Sequence, residues 1–228
     1  MIKKIKLLNK EVSINVISDA DNSVFEEIFR DRDYNVLDDK IKSAKSLIID
    51  VGAHIGCFSI YVAVLNPNIR VLAFEPDENN YKLLKENLQL NTTKNIQPKN
   101  LAVAGKEEIR TLNISEDSHN HSFYNAEKKV GEKKIQTTTI QKILKNHPKV
   151  DLIKIDCEGA EFEILRNLTE EEFLKIGSIY IEFHEFNEGM NRLELKSILE
   201  KNGFQTRISA SRYDGRFGFI FAENKKYR

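Results

Sequence analysis

The chain is short of cysteine, proline and glycine, has no excess of either charge, and contains no long apolar run. Each shortage excludes a class of protein. The two cysteines, Cys57 and Cys157, belong to no CxxC pair, which argues against a disulfide framework or a structural zinc site and points to a reducing compartment. Four prolines and ten glycines in 228 residues are too few for a low-complexity or fibrous chain. Lys and Arg together number 35, as do Asp and Glu, so the net charge is zero; a dedicated nucleic-acid binder normally carries a basic excess. No apolar stretch approaches the roughly 20 residues that span a bilayer. The opening MIKKIKLLNKEVSINV lacks the apolar core of about 7–15 residues that marks a signal peptide. The expectation is a cytoplasmic protein that engages neither membrane nor nucleic acid.

What is present is the patterning of a globular fold, with 40% apolar and 31% charged residues over a length that closes one hydrophobic core. Residues 5–18 alternate around Asn9-Lys10, which predicts a small hairpin. Ser23, with Glu26 three residues on, reads as the cap of a short helix through VFEEIFRD. Residues 1–40 are therefore expected to form an N-terminal extension to a single unit over 41–228. From Ser46 strands alternate with helices. LIIDV is a continuous apolar strand, as in a sheet covered on both faces, and Ile55, Phe58, Val62 and Leu65 follow at helical spacing. A second strand is expected over 69–74, a short third around 100–103, a fourth in VDLIKID and a fifth in SIYIEFH. EIRTLNIS and KKIQTTTI read as an inserted hairpin around a polar loop. FQTRISA and FGFIFAE flank Asp214-Gly215 as a closing antiparallel hairpin, and Asn202-Gly203 ends the helix before it. The fold class is α/β: three layers around a mostly parallel sheet, with ligands expected at the carboxyl ends of its strands.

The first strand runs into D-V-G-A-H-I-G, that is Asp50, Gly52, His54 and Gly56. This is not the G-x-G-x-x-G dinucleotide fingerprint. Glu75 closes the second strand, 19 residues after Gly56, where an acid can hold a ribose diol. A pyrophosphate would bring about two negative charges close to Asp50, a repulsion amplified at low dielectric. S-adenosylmethionine has the ribose, lacks phosphate, and carries an ammonium that Asp50 can stabilise directly or through water. A helix-start cap remains the alternative role for Asp50, and a solvent-facing loop residue the alternative for His54.

DVGAHIGCFSI, AFEPDENNYKLLKENLQLN, NLAVAG, DLIKIDCEGAEFEIL and YIEFHE follow one another as they do in FkbM-type methyltransferases. Over about residues 45–188 the chain resembles that family, within the Rossmann-like class I methyltransferase fold. The resemblance implies S-adenosylmethionine as cofactor, with Asp50, Gly52 and Gly56 in the methionine-binding loop, Glu75 at the ribose, and Leu101 and Ala102 beside the adenine. His54 departs from the family, which more often has Asn there.

The fourth and fifth strand ends face the methyl group in such a fold, and there the sequence supplies Asp156, Glu158 and Glu161, then Glu182, His184 and Glu185. Asp156 is the first choice near the methyl centre, with helix capping as its alternative. Glu158 and Glu161 open a helix, where carboxylates are also favoured by the macrodipole. His184, with a reference pKa of about 6.5, is the candidate general base, a structural histidine being the alternative. Lys154 in mid-strand requires an acidic partner, for which Glu182 is available. His119 and His121 lie in the polar loop without a carboxylate–histidine pattern, so no metal is expected, and the loop over 115–131 is expected to cover the substrate pocket. The expected activity is methylation of an oxygen of a small molecule or sugar by a monomer or homodimer. An NAD-linked dehydrogenase and a non-catalytic cofactor-binding module are the alternatives.

Overall fold

A computed structural model describes residues 1–116, 121–124, 128–187, 189–211 and 215–227. The chain opens with an antiparallel hairpin of β1 (Ile2–Leu7) and β2 (Lys10–Asn15), turning at Leu8-Asn9, one residue earlier than expected. Helix α1 (Asp19–Phe25) is capped by Ser18, not Ser23. Ser18 Oγ accepts from Asp21 N at 3.1 Å, and Asp21 Oδ2 accepts from Ser18 N at 2.9 Å. The S-x-x-D at 18–21 wins because it also precedes the apolar face, whereas Ser23 already lies inside the helix. A π-helical turn, Glu26–Asp31, continues α1, a 3₁₀ turn covers Asn35–Leu37, and α2 spans Asp38–Ser43.

The alternating region follows with β3 (Leu47–Val51), α3 (Cys57–Leu65), β4 (Arg70–Phe74), α4 (Glu78–Leu90) and β5 (Ile96–Lys99). The third strand is thus 96–99, not the segment around 100–103. Pro98 disguised it, and is tolerated because β5 is the sheet edge. Residues Ala102–Val103 instead form β6, which joins β7 (Ile109–Ser115) and β8 (Lys129–Thr138) in a separate small sheet. The chain continues through α5 (Ile140–Asn146), β9 (Val150–Ile155), α6 (Glu161–Arg166), α7 (Glu170–Phe173) and β10 (Ile176–His184). It ends in α8 (Arg192–Lys201), β11 (Phe204–Ala210) and β12 (Phe217–Asn224). Asn202 and Gly203 (φ +91°) do end α8, and β11 and β12 pair antiparallel as expected. Asp214 lies outside the described residues. No helix among them is long and apolar enough to cross a membrane.

Among the described residues the main sheet has seven strands in the order β11-β12-β10-β9-β3-β4-β5, parallel except at β12. Strand order reverses between β3 and β9, so a crevice opens at their carboxyl ends. One apolar core lies under α3 and α4, the other under α5, α6 and α8. Helix α3 is apolar nearly all round, which requires cover on its outer side as well. The N-terminal segment supplies it, with Val12, Ile14, Phe25, Ile28 and Leu37 buried in the same core. Two asparagines of α4 fasten that segment: Asn87 accepts from Asn15 N at 2.7 Å and Asn91 from Ser13 N at 2.9 Å.

Candidate active site

The ends of β3, β4 and β9 line a cavity, with Val51, Gly52, Phe74, Glu75 and Asp156 among its walls. Gly52 forms its floor at φ +75°, and a Cβ there would sit 1.7 Å from the Asp156 carbonyl oxygen, so no other residue fits. His54 has φ 49°, a left-handed conformation in which Asn, Asp and His are the enriched non-glycine residues. This explains why His can stand where the family more often has Asn. The His54 N–H donates to Glu75 Oε2 at 2.8 Å, and its Nε2 lies 3.3 Å from Asp21 Oδ1, tying the loop to α1.

Glu75 lines the cavity, and its other oxygen accepts from Asp77 N at 2.9 Å. Burial pushes this carboxyl up to about 7, against the pull of those two backbone N–H groups. Ala102 and Val103 also line the cavity, whereas Leu101 packs against the second core.

Asp50 requires a correction. It is not on the cavity wall: it is fully buried, accepts from Ser59 Oγ at 2.6 Å, and lies 3.6 Å from Lys154 Nζ. Lys154 in turn does not pair with Glu182. Parallel register sets it directly opposite Asp50, and its ammonium meets Asp156 at 3.1 Å and donates to the Gly52 carbonyl at 2.8 Å. Burial opposes its charge, yet Asp156 and Asp50 hold the ammonium above its usual range. The cavity's carboxylates are therefore Glu27, Glu75, Asp156 and Glu158, with Lys154 between the glycine loop and Asp156.

His184 is buried behind Glu158. Its Nδ1 lies 2.9 Å from Glu161 Oε1 and its Nε2 3.5 Å from Glu158 Oε1, and its ring stacks on Phe186 at 5.7 Å. Burial opposes a charge here too, but Glu158 and Glu161 hold the imidazolium well above the usual histidine range. A histidine that keeps its proton does not serve as the base. Burial pushes Glu158 up to about 8, against the neighbouring His184. His121 and Phe123 line the cavity and Ser122 Oγ donates to the Glu158 carbonyl at 2.6 Å; His119 lies outside the described residues. Cys57 and Cys157 are free thiols.

The match to the Methyltransferase FkbM domain runs over residues 50–206, through every one of these positions. The chain belongs to the FkbM methyltransferase family. It is 26% identical to Methyltransferase 1 of Beauveria bassiana over 210 residues, covering 81% of each chain. It is likewise 26% identical to Methyltransferase sdnD of Sordaria araneosa over 236 residues, covering 89% of each. The solved FkbM methyltransferase of Methylobacillus flagellatus superposes with a TM-score of 0.55 at 19% identity, over 78% of this chain and 43% of that one. Magnesium protoporphyrin IX methyltransferase of Synechocystis, solved with bound SAM, shares the fold at a TM-score of 0.52 and 11% identity, over 92% and 86% of the two chains.

This FkbM methyltransferase has a second cleft beside the first. It lies between the π-helical turn and the β10–β12 surface. Tyr180 and Phe219 stack at 5.4 Å and 13° to form its floor, with Glu182, Asp33 and Arg207 at its sides. Glu27 lines both cavities. Sequence reading missed Glu27 and Tyr34. The available signal was an acid between Val24 and Ile28 on the apolar face of a short helix, and π-turns of this kind recur at functional sites. Burial raises the Glu27 carboxyl to about 7, with Asp156 and Asp33 adding to the effect.

Proposed function

We propose that this FkbM methyltransferase transfers a methyl group from S-adenosylmethionine to a hydroxyl oxygen of a small polyhydroxylated acceptor such as a sugar. The supporting observation is the junction at Glu27: the cavity at the glycine loop opens beside a cleft with a stacked aromatic floor and carboxylate walls. Aromatic faces suit the apolar side of a sugar ring, and carboxylates accept from its hydroxyls. The residues fit the cofactor: Gly52 allows close backbone approach, Glu75 is held on the cavity wall by two backbone N–H groups with lone pairs left to accept from a diol, and Ala102 leaves room for a flat ring. Asp50 acts one step back, by holding Lys154 against the glycine loop. Bound S-adenosylmethionine supplies an electrophilic methyl on a sulfonium. The protein's task is then alignment and removal of the hydroxyl proton. Glu27, with a carboxyl near 7 at the meeting of the two cavities, is the better base. Asp156 faces the reacting centre, and His184 holds Glu158 in place. A dinucleotide would set its pyrophosphate against Asp156, Glu158 and Glu75, a repulsion that disfavours the dehydrogenase alternative.

Labelled methyl transfer into a panel of sugars and hydroxylated small molecules tests this reading. Transfer confined to a hydroxyl, lowered about 100-fold in kcat by Glu27→Gln with cofactor affinity unchanged, is the expected result. Transfer to nitrogen alone, or none to any hydroxyl, refutes it. Cofactor binding carries its own pH signature. Ionised Glu75 accepts from a diol far more strongly than the neutral acid, and its pKa of about 7 means that affinity rises with pH through that value. Calorimetry should find binding about tenfold weaker at pH 6 than at pH 8, with a proton released on binding near neutrality. Glu75→Gln should flatten this dependence.

A further inference from the structure

We propose that Asp156, Glu158 and His184 form a divalent-cation site in the wall of the cofactor cavity, suited to Mn²⁺ or Mg²⁺. What the ion would do rests on the methyl-transfer reading; whether it binds does not. Among the described residues this is the one group in which His, Cys, Asp or Glu side chains each offer a ligand atom within 4.8 Å of the others. Octahedral coordination at about 2.1 Å brings ligand atoms to within about 4.2 Å, so a small closing movement of the side chains suffices. Asp156 and Glu158 line the cavity, which leaves the remaining positions open to water or an acceptor oxygen. His184 presents Nε2 toward Glu158, while its Nδ1 is engaged by Glu161; a dication would displace the proton from Nε2, so its binding releases a proton and strengthens with pH. A carboxylate on the far nitrogen is the partner that fixes metal-binding histidines.

An independent observation points the same way. Glu161 is fully buried, and its Oε2 has no hydrogen-bond partner. Asp156, Glu158 and Glu161 bring three carboxyls to this corner, around His184. The cations facing them are Lys154, shared with Asp50, and His184. Buried carboxylates in excess of their cations are costly, and a dication restores the balance. Two hard carboxylate oxygens suit Mg²⁺ or Mn²⁺, and the imidazole nitrogen tilts the preference toward Mn²⁺. Next to the cofactor cavity such an ion would bind the acceptor hydroxyl and lower its pKa, the Lewis-acid role open to metals in such sites.

Titration of the full chain with Mn²⁺, followed by the loss of the free-ion electron paramagnetic resonance signal, is the test. The expected result is one ion per chain, with Glu158→Gln and His184→Gln each weakening binding at least tenfold. Calorimetric binding of S-adenosylmethionine, measured on the same samples, reports separately on the cofactor reading. Should a variant fail to fold, electron spin-echo modulation of the wild-type complex reads the same point, because an imidazole ligand gives a ¹⁴N coupling. No Mn²⁺ bound at millimolar concentration, binding unchanged in both folded variants, or no ¹⁴N coupling overturns the proposal.

Discussion

Lys154→Met should destabilise the fold by about 3–5 kcal/mol, the cost of stranding a buried charge whose partner has been removed. Asp50 has no exposure at all and Asp156 is partly exposed, and Lys154 is the cation that reaches both. The same ammonium fastens the Gly52 carbonyl at 2.8 Å, so the glycine loop loosens with it. Urea denaturation of the wild type and variant measures the loss. A second substitution separates charge from packing: Lys154→Met with Asp50→Asn removes both ions and should recover much of the stability, since Asn keeps the shape and can still accept from Ser59. If the double variant is no more stable than the single one, the buried pair is not the reason for the loss.

Gly52→Ala should be equally severe, by steric means. The added Cβ would lie 1.7 Å from Asp156 O and 2.9 Å from Asp156 C, on a residue at φ +75°. The left-handed conformation alone costs about 1–2 kcal/mol with a Cβ. Relief of the clash requires the ends of β3 and β9 to separate, which opens the cavity floor. Affinity for S-adenosylmethionine should fall at least 100-fold, with a melting temperature lower by about 10 °C, as a loss of about 3–5 kcal/mol at roughly 2–4 °C each implies. Gly131→Ala is the control, because a Cβ there meets nothing within 4 Å. A Gly52→Ala protein that binds cofactor like the wild type would mean that the loop is not held against β9 as described.

Much of the architecture was legible because local pattern and burial agree. LIIDV is apolar at all but Asp50, SIYIEFH is rich in β-branched and aromatic residues, and both strands are buried along nearly their whole length. The errors fell where two local rules competed. Pro98 spoke against a strand, yet an edge strand has a side on which no donor is needed. Ser23 and Ser18 each had an acid three residues on, and only the tertiary position of the first turn chose between them. The site was legible to the level of which loop ends carry it: Gly52, Gly56, Glu75, Asp156 and Glu158 all fall at strand ends, and all but Gly56 line the cavity.

What each of these residues does depended on side-chain partners, and these are long-range. Residue order alone determined the family, the glycine turn and the acid that closes the second strand, since each is a matter of residue type at fixed spacing along the chain. Only the tertiary structure decided that Asp50 neutralises Lys154 instead of facing the cavity, because the register of β3 against β9 sets that pair opposite one another across a separation of 104 residues. It also turned His184 from a free base into an imidazolium held between two glutamates, and brought Glu27 from the N-terminal segment to the junction of both cavities. A carboxylate or imidazole takes its chemistry from its dielectric surroundings and the charges within a few ångströms, and those are fixed only when distant segments meet.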